Sequence, residues 1–322
     1  MRERRILFVT LTRIGDGVLS TGLLSHLVER DPEARITIAA GPPAAPLFTE
    51  VPGLEQLIVL QKRRASLHWA CLYAKTLRRR WDLVVDLRGS ALAYFLRARE
   101  KKVMAKGDPR QHRVRQLAGL FGLDPPPAPR LWRARRHEEA ALALVPEGGP
   151  FFAIGPAANW RGKEWRAERF AELAGALGAA NGPLPGARVA VLAAGHERAQ
   201  ALPLLAAIPE SRRIDLVGRT DLLTAAAVLS RASLFVGNDT GLMHLAAAAG
   251  APTLGLFGPS PYEQYAPWGE RSGFVASSEP RESLFPPGFN HLTTDSLMDG
   301  LSVEAAFAAA CRLLERISSR AA

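Results

Sequence analysis

The residues best suited to chemistry form a polar turn, Asn-Asp-Thr-Gly, at 238–241. An apolar run at 234–236 predicts a buried strand before the turn, and an alanine-rich stretch at 242–249 predicts a helix after it. The free backbone amides at the start of that helix, including those of Thr240 and Gly241, form a candidate anion site. Because Gly241 has no side chain, a phosphate can approach the backbone closely there.

Asp239 is unusual in this turn, because a carboxylate repels a phosphate. Two interpretations remain open: Asp239 caps the helix, or it faces a neutral group beside the phosphate, such as sugar hydroxyls. His244, on the following helix, is either part of the same site or a helix histidine whose hydrogen bonds are satisfied internally.

Two further residues belong to strand-to-helix loops. Lys163 lies in the loop at 159–163, before a predicted helix at 167–177. A cation at the positive end of a helix is unfavourable unless an anion is bound, so Lys163 is a candidate phosphate contact. Glu197 follows a predicted strand at 188–193. It either accepts hydrogen bonds from ribose hydroxyls or simply favours the helix dipole.

Asp16 lies in a glycine-flanked stretch at 13–17, which we interpret as a loop after the first strand. The two glycines do not form a GxGxxG motif, so locally Asp16 is an ordinary loop carboxylate. The sequence contains no cluster of acidic and histidine residues with metal-ligand spacing and no Ser-His-Asp signature. Neither a metal nor a nucleophilic side chain is therefore indicated.

Predicted strands and helices alternate along the chain, which favours doubly wound α/β domains. Proline- and glycine-rich sequence at 124–150, which flanks a short basic helix-like piece at 133–144, predicts a linker, after which the alternation restarts. The pattern predicts two facing Rossmann-like domains with a cleft between them. The other predicted strands are 6–11, 35–40, 57–60, 83–87, 151–154, 214–217 and 253–257, and the other predicted helices are 18–28 and 303–317.

The composition is that of a globular protein, with 48% hydrophobic and 22% charged residues among 322. Two cysteines, Cys71 and Cys311, form no disulfide framework, which favours a reducing compartment. The apolar run near the N-terminus is stopped by Arg13 and lacks a cleavage site. No run approaches the roughly 20 residues of a membrane span. We therefore expect a cytoplasmic protein.

The positive charge is concentrated in the first half of the chain. Residues 1–149 carry 26 lysines and arginines against 15 acidic residues, a balance of +11, whereas residues 150–322 carry 15 against 16, a balance of −1. This basic half is either a solvated surface or a site for an anionic acceptor or membrane surface. Nucleic acid is disfavoured, because no helix-turn-helix, zinc or RNP-like motif is present.

Together these residues make the chain resemble the heptosyltransferases of glycosyltransferase family 9, which move a heptose from an ADP-sugar onto lipopolysaccharide core. The resemblance rests on three segments and runs over nearly the whole chain: RIGDGVLSTGLL at 13–24, RGKEWRAERFAEL at 161–173 and NDTGLMHLAAAAGAPTLGLFGPS at 238–260. It implies a GT-B-like fold, with an acceptor-binding domain at 1–148 and a nucleotide-sugar-binding domain at 149–288. The C-terminal segment 289–322 is expected to pack back toward the first domain.

The resemblance also implies roles for individual residues. Asp16 matches the general base of an inverting, metal-independent transfer that needs no cofactor besides its ADP-sugar donor. The donor-binding residues it implies are Lys163, Glu197, Asp239, Thr240, Gly241 and His244. Candidate contacts to an anionic acceptor are Arg13, Arg88 and Arg113, with Arg97, Arg110 and Arg115 also considered. The sequence departs from the family pattern at Arg166 and at Gly22, where prolines are usual.

Two other functions stay open at this point: a nucleotide-sugar epimerase on the same two-domain fold, and a non-catalytic module that only binds a nucleotide sugar. The resemblance favours a cytoplasmic enzyme that lies peripherally on the inner face of the cytoplasmic membrane, where the lipopolysaccharide acceptor is exposed.

Overall fold

A computed structural model describes residues 3–61 and 67–321, with the side chain of Ala321 excepted. The chain divides into two compact units, residues 1–134 and 135–322, which we call the first and second unit. Each unit is built on one sheet in which every strand pair is parallel. Alternation of strands with helices, as the sequence predicts, produces this architecture.

The first unit contains a five-stranded sheet of order β3-β2-β1-β4-β5. The strands β1 and β4 at its centre are buried almost throughout, which explains their continuous apolar sequence. Its strands are β1 (Arg5–Val9), β2 (Arg35–Ala40), β3 (Leu54–Val59), β4 (Trp81–Asp86) and β5 (Ala98–Val103). Its helices are α1 (Ile14–Arg30), α2 (Leu67–Thr76), α3 (Leu92–Phe95) and α4 (Arg113–Gly119).

The second unit contains a six-stranded sheet of order β11-β10-β9-β6-β7-β8. Its strands are β6 (Phe151–Gly155), β7 (Arg188–Val191), β8 (Arg213–Asp215), β9 (Phe235–Asn238), β10 (Thr253–Phe257) and β11 (Ser272–Ala276). Its helices are α5 (Arg135–Leu144), α6 (Ala167–Leu177), α7 (Arg198–Ala207), α8 (Leu222–Leu229), α9 (Gly241–Ala248), α10 (Tyr262–Tyr265) and α11 (Val303–Ala321).

The first helix of the second unit lies in the segment that the sequence predicts as a linker. Helix α5 packs on α8, and the Arg231 guanidinium donates a hydrogen bond of 3.2 Å to the Ala141 carbonyl. The buried side chains of His137 and Ala141 belong to this contact face. The compact units therefore divide at 134/135, earlier along the chain than the predicted boundary at 148/149.

The C-terminal helix α11 packs on α6, β10 and β11 of the second unit. Its side chains Ala306, Ala310 and Leu313 join the buried core around Phe170. The prediction that this segment also turns back toward the first domain stays a prediction. Within residues 3–61 and 67–321, no helix is both long and apolar enough to cross a membrane.

Each sheet has a point at which the strand order reverses direction. In the first sheet it lies between β1 and β4; in the second it lies between β6 and β9. In parallel α/β sheets, ligands bind at the carboxyl ends of the strands where this reversal opens a crevice. The loops after β1 and β4, and those after β6 and β9, are therefore the places to seek a site.

Candidate functional site

A cavity of about 570 Å³ lies at the reversal point of the first sheet, and four of the sequence-predicted residues line it. They are Arg13 in the loop after β1, Asp16 in the first turn of α1, Arg88 in the loop after β4 and Arg113 at the start of α4. Lys106, which the sequence analysis did not single out, adds a fifth charged side chain. The cavity is therefore lined by one carboxylate and four cationic side chains.

Asp16 lies in the first turn of α1, not in a loop as predicted. The helix begins at Ile14 and includes Gly17, which disfavours a helix by itself but packs closely against the segment at 44–48. A Cβ at Gly17 would lie 3.0 Å from the Ala44 Cβ and 3.2 Å from Leu47. The half-buried Asp16 carboxylate consequently sits at the positive end of a seventeen-residue helix, where a negative charge is stabilised.

Arg88 is positioned by the turn after β4. Its backbone N–H donates a 2.9 Å hydrogen bond to the fully buried Asp86 carboxylate. Gly89 follows with φ +63°, and a Cβ there would lie 2.6 Å from the Met104 carbonyl oxygen, so only glycine fits. The guanidinium lies 4.8 Å from the centre of the Trp69 ring. Burial lowers the pKa of Arg88, although the nearby Asp86 carboxylate opposes this.

One atom of Arg88 has no hydrogen-bond acceptor. Its buried Nη1 finds no protein partner, although the side chain lines the cavity. A buried guanidinium nitrogen without an acceptor is costly, and an anionic group in the cavity would relieve that cost. No pattern in the sequence indicates that this nitrogen lacks an acceptor.

The loop that carries Lys106 is held by one glutamine. The Gln116 amide nitrogen donates to the carbonyls of Asp108 at 2.8 Å and Gln111 at 2.6 Å, while its oxygen accepts a 3.0 Å hydrogen bond from Arg113. Arg113 is thus oriented by a residue of its own helix. Lys106 was missed because the strand before it, β5, is charged and carries no hydrophobic signal.

In the second unit, Lys163 and Asp239 form an ion pair at the reversal point of the sheet. Lys163 Nζ donates a 2.7 Å hydrogen bond to Asp239 Oδ2, with side-chain exposures of 20% and 9%. His244 Nε2 lies 3.8 Å from the other oxygen of the same carboxylate. Two of the predicted donor-binding residues, Lys163 and His244, therefore lie beside the carboxylate of a third, Asp239.

The helix-cap interpretation of Asp239 is wrong. Thr240 is the N-cap residue of α9, and no side chain caps this helix. The Asp239 carboxylate instead accepts a hydrogen bond from Lys163. This contact gives Lys163 an acidic partner near the start of a helix, where a cation by itself is unfavourable. The first turn of α9, which begins at Gly241, carries no acidic side chain.

Asn238 connects the two strand ends from which Lys163 and Asp239 project. Its fully buried amide accepts a 3.1 Å hydrogen bond from the Trp165 backbone N–H and donates one of 2.7 Å to the Pro156 carbonyl. The loop after β6 is thereby fastened to β9. Sequence reasoning treated Asn238 only as a cap-type residue, because both partners are distant along the chain.

Glu197 lies after β7, the strand next to β6, in a short 3-10 helix. Its Oε2 accepts a 2.8 Å hydrogen bond from the Ala194 backbone N–H. This contact is the local, helix-start role left open by the sequence. The second carboxylate oxygen remains available to a ribose hydroxyl, so the two interpretations are compatible.

The two departures from the family pattern have structural explanations. Arg166 donates hydrogen bonds of 2.6 Å to both carboxylate oxygens of Asp299 and one of 3.3 Å to Asp295, so it ties the start of α6 to a distant segment. Gly22 packs on the backbone at 127–128, and a Cβ there would lie 2.3 Å from the Pro127 carbonyl oxygen. Neither residue lines the cavity of the first unit.

The profile of glycosyltransferase family 9 (heptosyltransferase) matches residues 88–285, well over half of the chain. The chain belongs to this family. It is a glycosyltransferase, as the sequence analysis expected. The lipooligosaccharide heptosyltransferase 2 of Haemophilus influenzae is 24% identical over 300 residues, which cover 81% of this chain and 85% of the relative.

Solved structures of related proteins have the same fold. A family 9 glycosyltransferase from Veillonella parvula superposes with a TM-score of 0.79 at 19% identity, covering 98% of both chains. The Escherichia coli ADP-heptose lps heptosyltransferase II gives a TM-score of 0.75, also at 19% identity, covering 98% of this chain and 99% of the other. The predicted fold class, two Rossmann-like α/β domains of GT-B type, is therefore confirmed.

Proposed function

We propose that this glycosyltransferase moves a heptose from an ADP-sugar to a lipopolysaccharide core acceptor, with inversion at the anomeric carbon and without a metal. Family membership supports the reaction class. The curated relative from Haemophilus influenzae is named a lipooligosaccharide heptosyltransferase, and the Escherichia coli neighbour is named for ADP-heptose. Among the described residues, no group of three or more His, Cys, Asp and Glu side chains could hold a metal ion.

The observation that carries the donor site is the Lys163–Asp239 pair beside the start of α9. An ammonium has three donors, so Lys163 can hold Asp239 and still donate to a diphosphate. The free amides of the first turn of α9 would bind the same diphosphate. Asp239, already neutralised by Lys163, would accept hydrogen bonds from sugar hydroxyls.

In the transfer itself, Asp16 removes the proton of the acceptor hydroxyl. The hydroxyl oxygen attacks the anomeric carbon from the side opposite ADP, the bond to the diphosphate oxygen breaks, and the configuration inverts. The charge that develops on the departing ADP is stabilised by Lys163 and the α9 amides, the role that a metal ion would otherwise fill. Glu197 and His244 are assigned to donor binding.

The cavity of the first unit is assigned to the acceptor. Arg13, Arg88, Arg113 and Lys106 line it, and the carboxylates and phosphates of lipopolysaccharide core match four cations. Since this acceptor is anchored in a membrane, the enzyme would work peripherally at the cytoplasmic face of the inner membrane. The basic balance of residues 1–149 supports this placement.

The deciding experiment combines donor binding with product analysis. ADP at 100 times its Kd should stabilise the protein by about 2.7 kcal/mol, and Lys163→Ala should abolish most of that shift. Incubation with ADP-heptose and a core acceptor should give glycosylated acceptor and ADP. An epimerised donor with unchanged acceptor would identify an epimerase, and ADP binding without turnover of either substrate would identify a binding module.

A further inference from the structure

Helices α2 and α3 pack on the same face of the first sheet. Their buried side chains, Leu72 of α2 and Leu92 of α3, join one core cluster with Leu7 and Val9 of β1. Side chains two apart on a strand point to one face, so both helices cover the face that Leu7 and Val9 identify. The outer surfaces of α2 and α3 are therefore on one side of the unit.

This side is unusually apolar. Tyr94 and Phe95 of α3 are 67% and 70% exposed, and Leu67 of α2 is 54% exposed. In the part of the first unit that the structure describes, five of the six exposed large apolar side chains lie on α2, on α3 or on the residue after α2. They are Leu67, Tyr73, Leu77, Tyr94 and Phe95. The sixth, Val59 of β3, follows Ile58, which belongs to the core beneath these helices, so its side chain points to the opposite face. A concentrated apolar surface of this kind marks an interaction site.

The sequence on and next to the two helices is basic. Residues 67–81 hold four cationic residues and no aspartate or glutamate, and residues 87–99 hold three arginines and again no acid. The cations of the first stretch are Lys75, Arg78, Arg79 and Arg80. Lys101 Nζ donates a 3.0 Å hydrogen bond to the Tyr94 carbonyl, which places an ammonium beside the exposed aromatic pair.

We propose that the outer surface of α2 and α3 docks on an anionic lipid bilayer, with Tyr94 and Phe95 entering the headgroup region. Aromatic side chains favour the interface between water and hydrocarbon, and each lysine or arginine near an anionic surface adds about 1 kcal/mol of attraction. An apolar strip bordered by cations is the pattern of an interfacial helix. The inference deepens the proposed function, because it names the surface through which a membrane-anchored acceptor is reached.

The test is co-sedimentation with vesicles of phosphatidylcholine alone and of phosphatidylcholine mixed with phosphatidylglycerol. The wild-type protein should bind only the mixed vesicles, and added salt should weaken binding. The double variant Tyr94→Ser/Phe95→Ser should bind at least about tenfold more weakly, because it lacks the two aromatic side chains that would be partly buried in the bilayer. Leu292→Ser, which removes an 80% exposed apolar side chain from the second unit, is the matched control and should bind as wild type.

A second measurement remains informative if the double variant is poorly folded. In Phe95→Trp, acyl chains carrying bromine should quench the new fluorescence, whereas Leu292→Trp should show no added quenching. Any of three results would overturn the proposal. The wild-type protein does not bind the mixed vesicles, the double variant binds them as tightly as wild type does, or the wild-type protein is a dimer that the double substitution dissociates.

Turnover of a water-soluble, deacylated acceptor separates this inference from the proposed function. The Tyr94→Ser/Phe95→Ser variant should transfer heptose to it at the wild-type rate, because neither side chain lines the acceptor cavity. A wild-type protein without transfer to this acceptor contradicts the proposed function, while the vesicle measurements still decide the docking surface.

Discussion

Lys163 and Asp239, which lie in loops 76 residues apart in the chain, meet through a 2.7 Å hydrogen bond at the reversal point of the second sheet. Because both side chains are largely buried, each neutralises a charge that would otherwise be costly. The pair thus stabilises the fold and also holds the proposed donor site ready.

The pair can be tested by a double-mutant cycle. Lys163→Ala leaves the Asp239 carboxylate without its strongest partner and should lower the free energy of unfolding by about 1–3 kcal/mol. Adding Asp239→Asn should recover part of this loss. Arg161→Ala is the control, because the exposed Arg161–Asp295 pair should contribute at most about 1 kcal/mol. Denaturant titration measures Lys163→Ala, Asp239→Asn, the double variant and Arg161→Ala, and purely additive effects of the first two substitutions would contradict the coupling.

Replacement of the proposed base should affect turnover and not donor binding. Asp16→Asn keeps the shape of the side chain and removes its basicity, so transfer should fall by roughly 10²–10⁴-fold. Glu33→Gln, an exposed carboxylate of the same unit, should leave the rate unchanged. The measurements are turnover and ADP-sugar affinity in one preparation. Near-normal turnover in Asp16→Asn would place the base elsewhere.

The packing at Gly22 predicts a stability difference between two helix glycines. Gly22→Ala should destabilise the protein by about 1–3 kcal/mol, because the added methyl group meets the backbone at Pro127. Gly175→Ala, in α6, should instead stabilise it by about 0.5–1 kcal/mol, because nothing lies within 4 Å of the new methyl group. Thermal unfolding of both variants checks the prediction. Equal effects of the two substitutions on stability would show that the backbone at 127–128 moves at little cost in free energy, contrary to this prediction.

Glu164 should make stability depend on pH. Burial raises its pKa above the model-compound value of 4.5, while the nearby Arg161 opposes the shift. The folded state therefore binds this proton more tightly than the unfolded state. Its contribution to stability is present below pH 4.5 and is lost as pH rises through the folded-state pKa.

Glu164→Gln removes that loss and keeps an oxygen acceptor for the 2.9 Å hydrogen bond from Gln200. At neutral pH the variant should be at least as stable as wild type, and its advantage should shrink below pH 4.5. Unfolding curves at several pH values test this. A variant that is less stable than wild type at neutral pH and equally stable in acid would show that the ionised Glu164 carboxylate stabilises the fold, the opposite of this prediction.

Local sequence patterns were sufficient for several buried elements, although the buried helix α8 was not predicted. The bounds of β2, α6 and β10 coincide with the predicted ones, because apolar runs and punctuating glycines mark them. The edge strands β5 and β11 were missed. The sequence of β5, Ala-Arg-Glu-Lys-Lys-Val, is charged, as is common for edge strands, and lacks a hydrophobic signal.

The remaining differences come from tertiary contacts. Gly15 and Gly17 weaken the helical pattern around Asp16, yet packing of Gly17 against Ala44 and Leu47 extends α1 through them. The bridging role of Asn238 and the ion pair of Lys163 involve partners 73 to 82 residues away. No local pattern reports such contacts, whereas the family resemblance indicated the residue positions without their partners.

The attachment of α5 to α8 bears on how this enzyme can be recombined with its relatives. A chimera that exchanges the first unit, to which we assign the acceptor site, should be joined at 134/135, which leaves α5 with its own α8 and keeps the Arg231–Ala141 hydrogen bond. A junction at 148/149 would import a foreign helix onto α8 and oblige it to match the surface that His137 and Ala141 now fill. The proline-rich stretch before α5 is thus the better junction for a chimera that tests whether the first unit determines acceptor specificity.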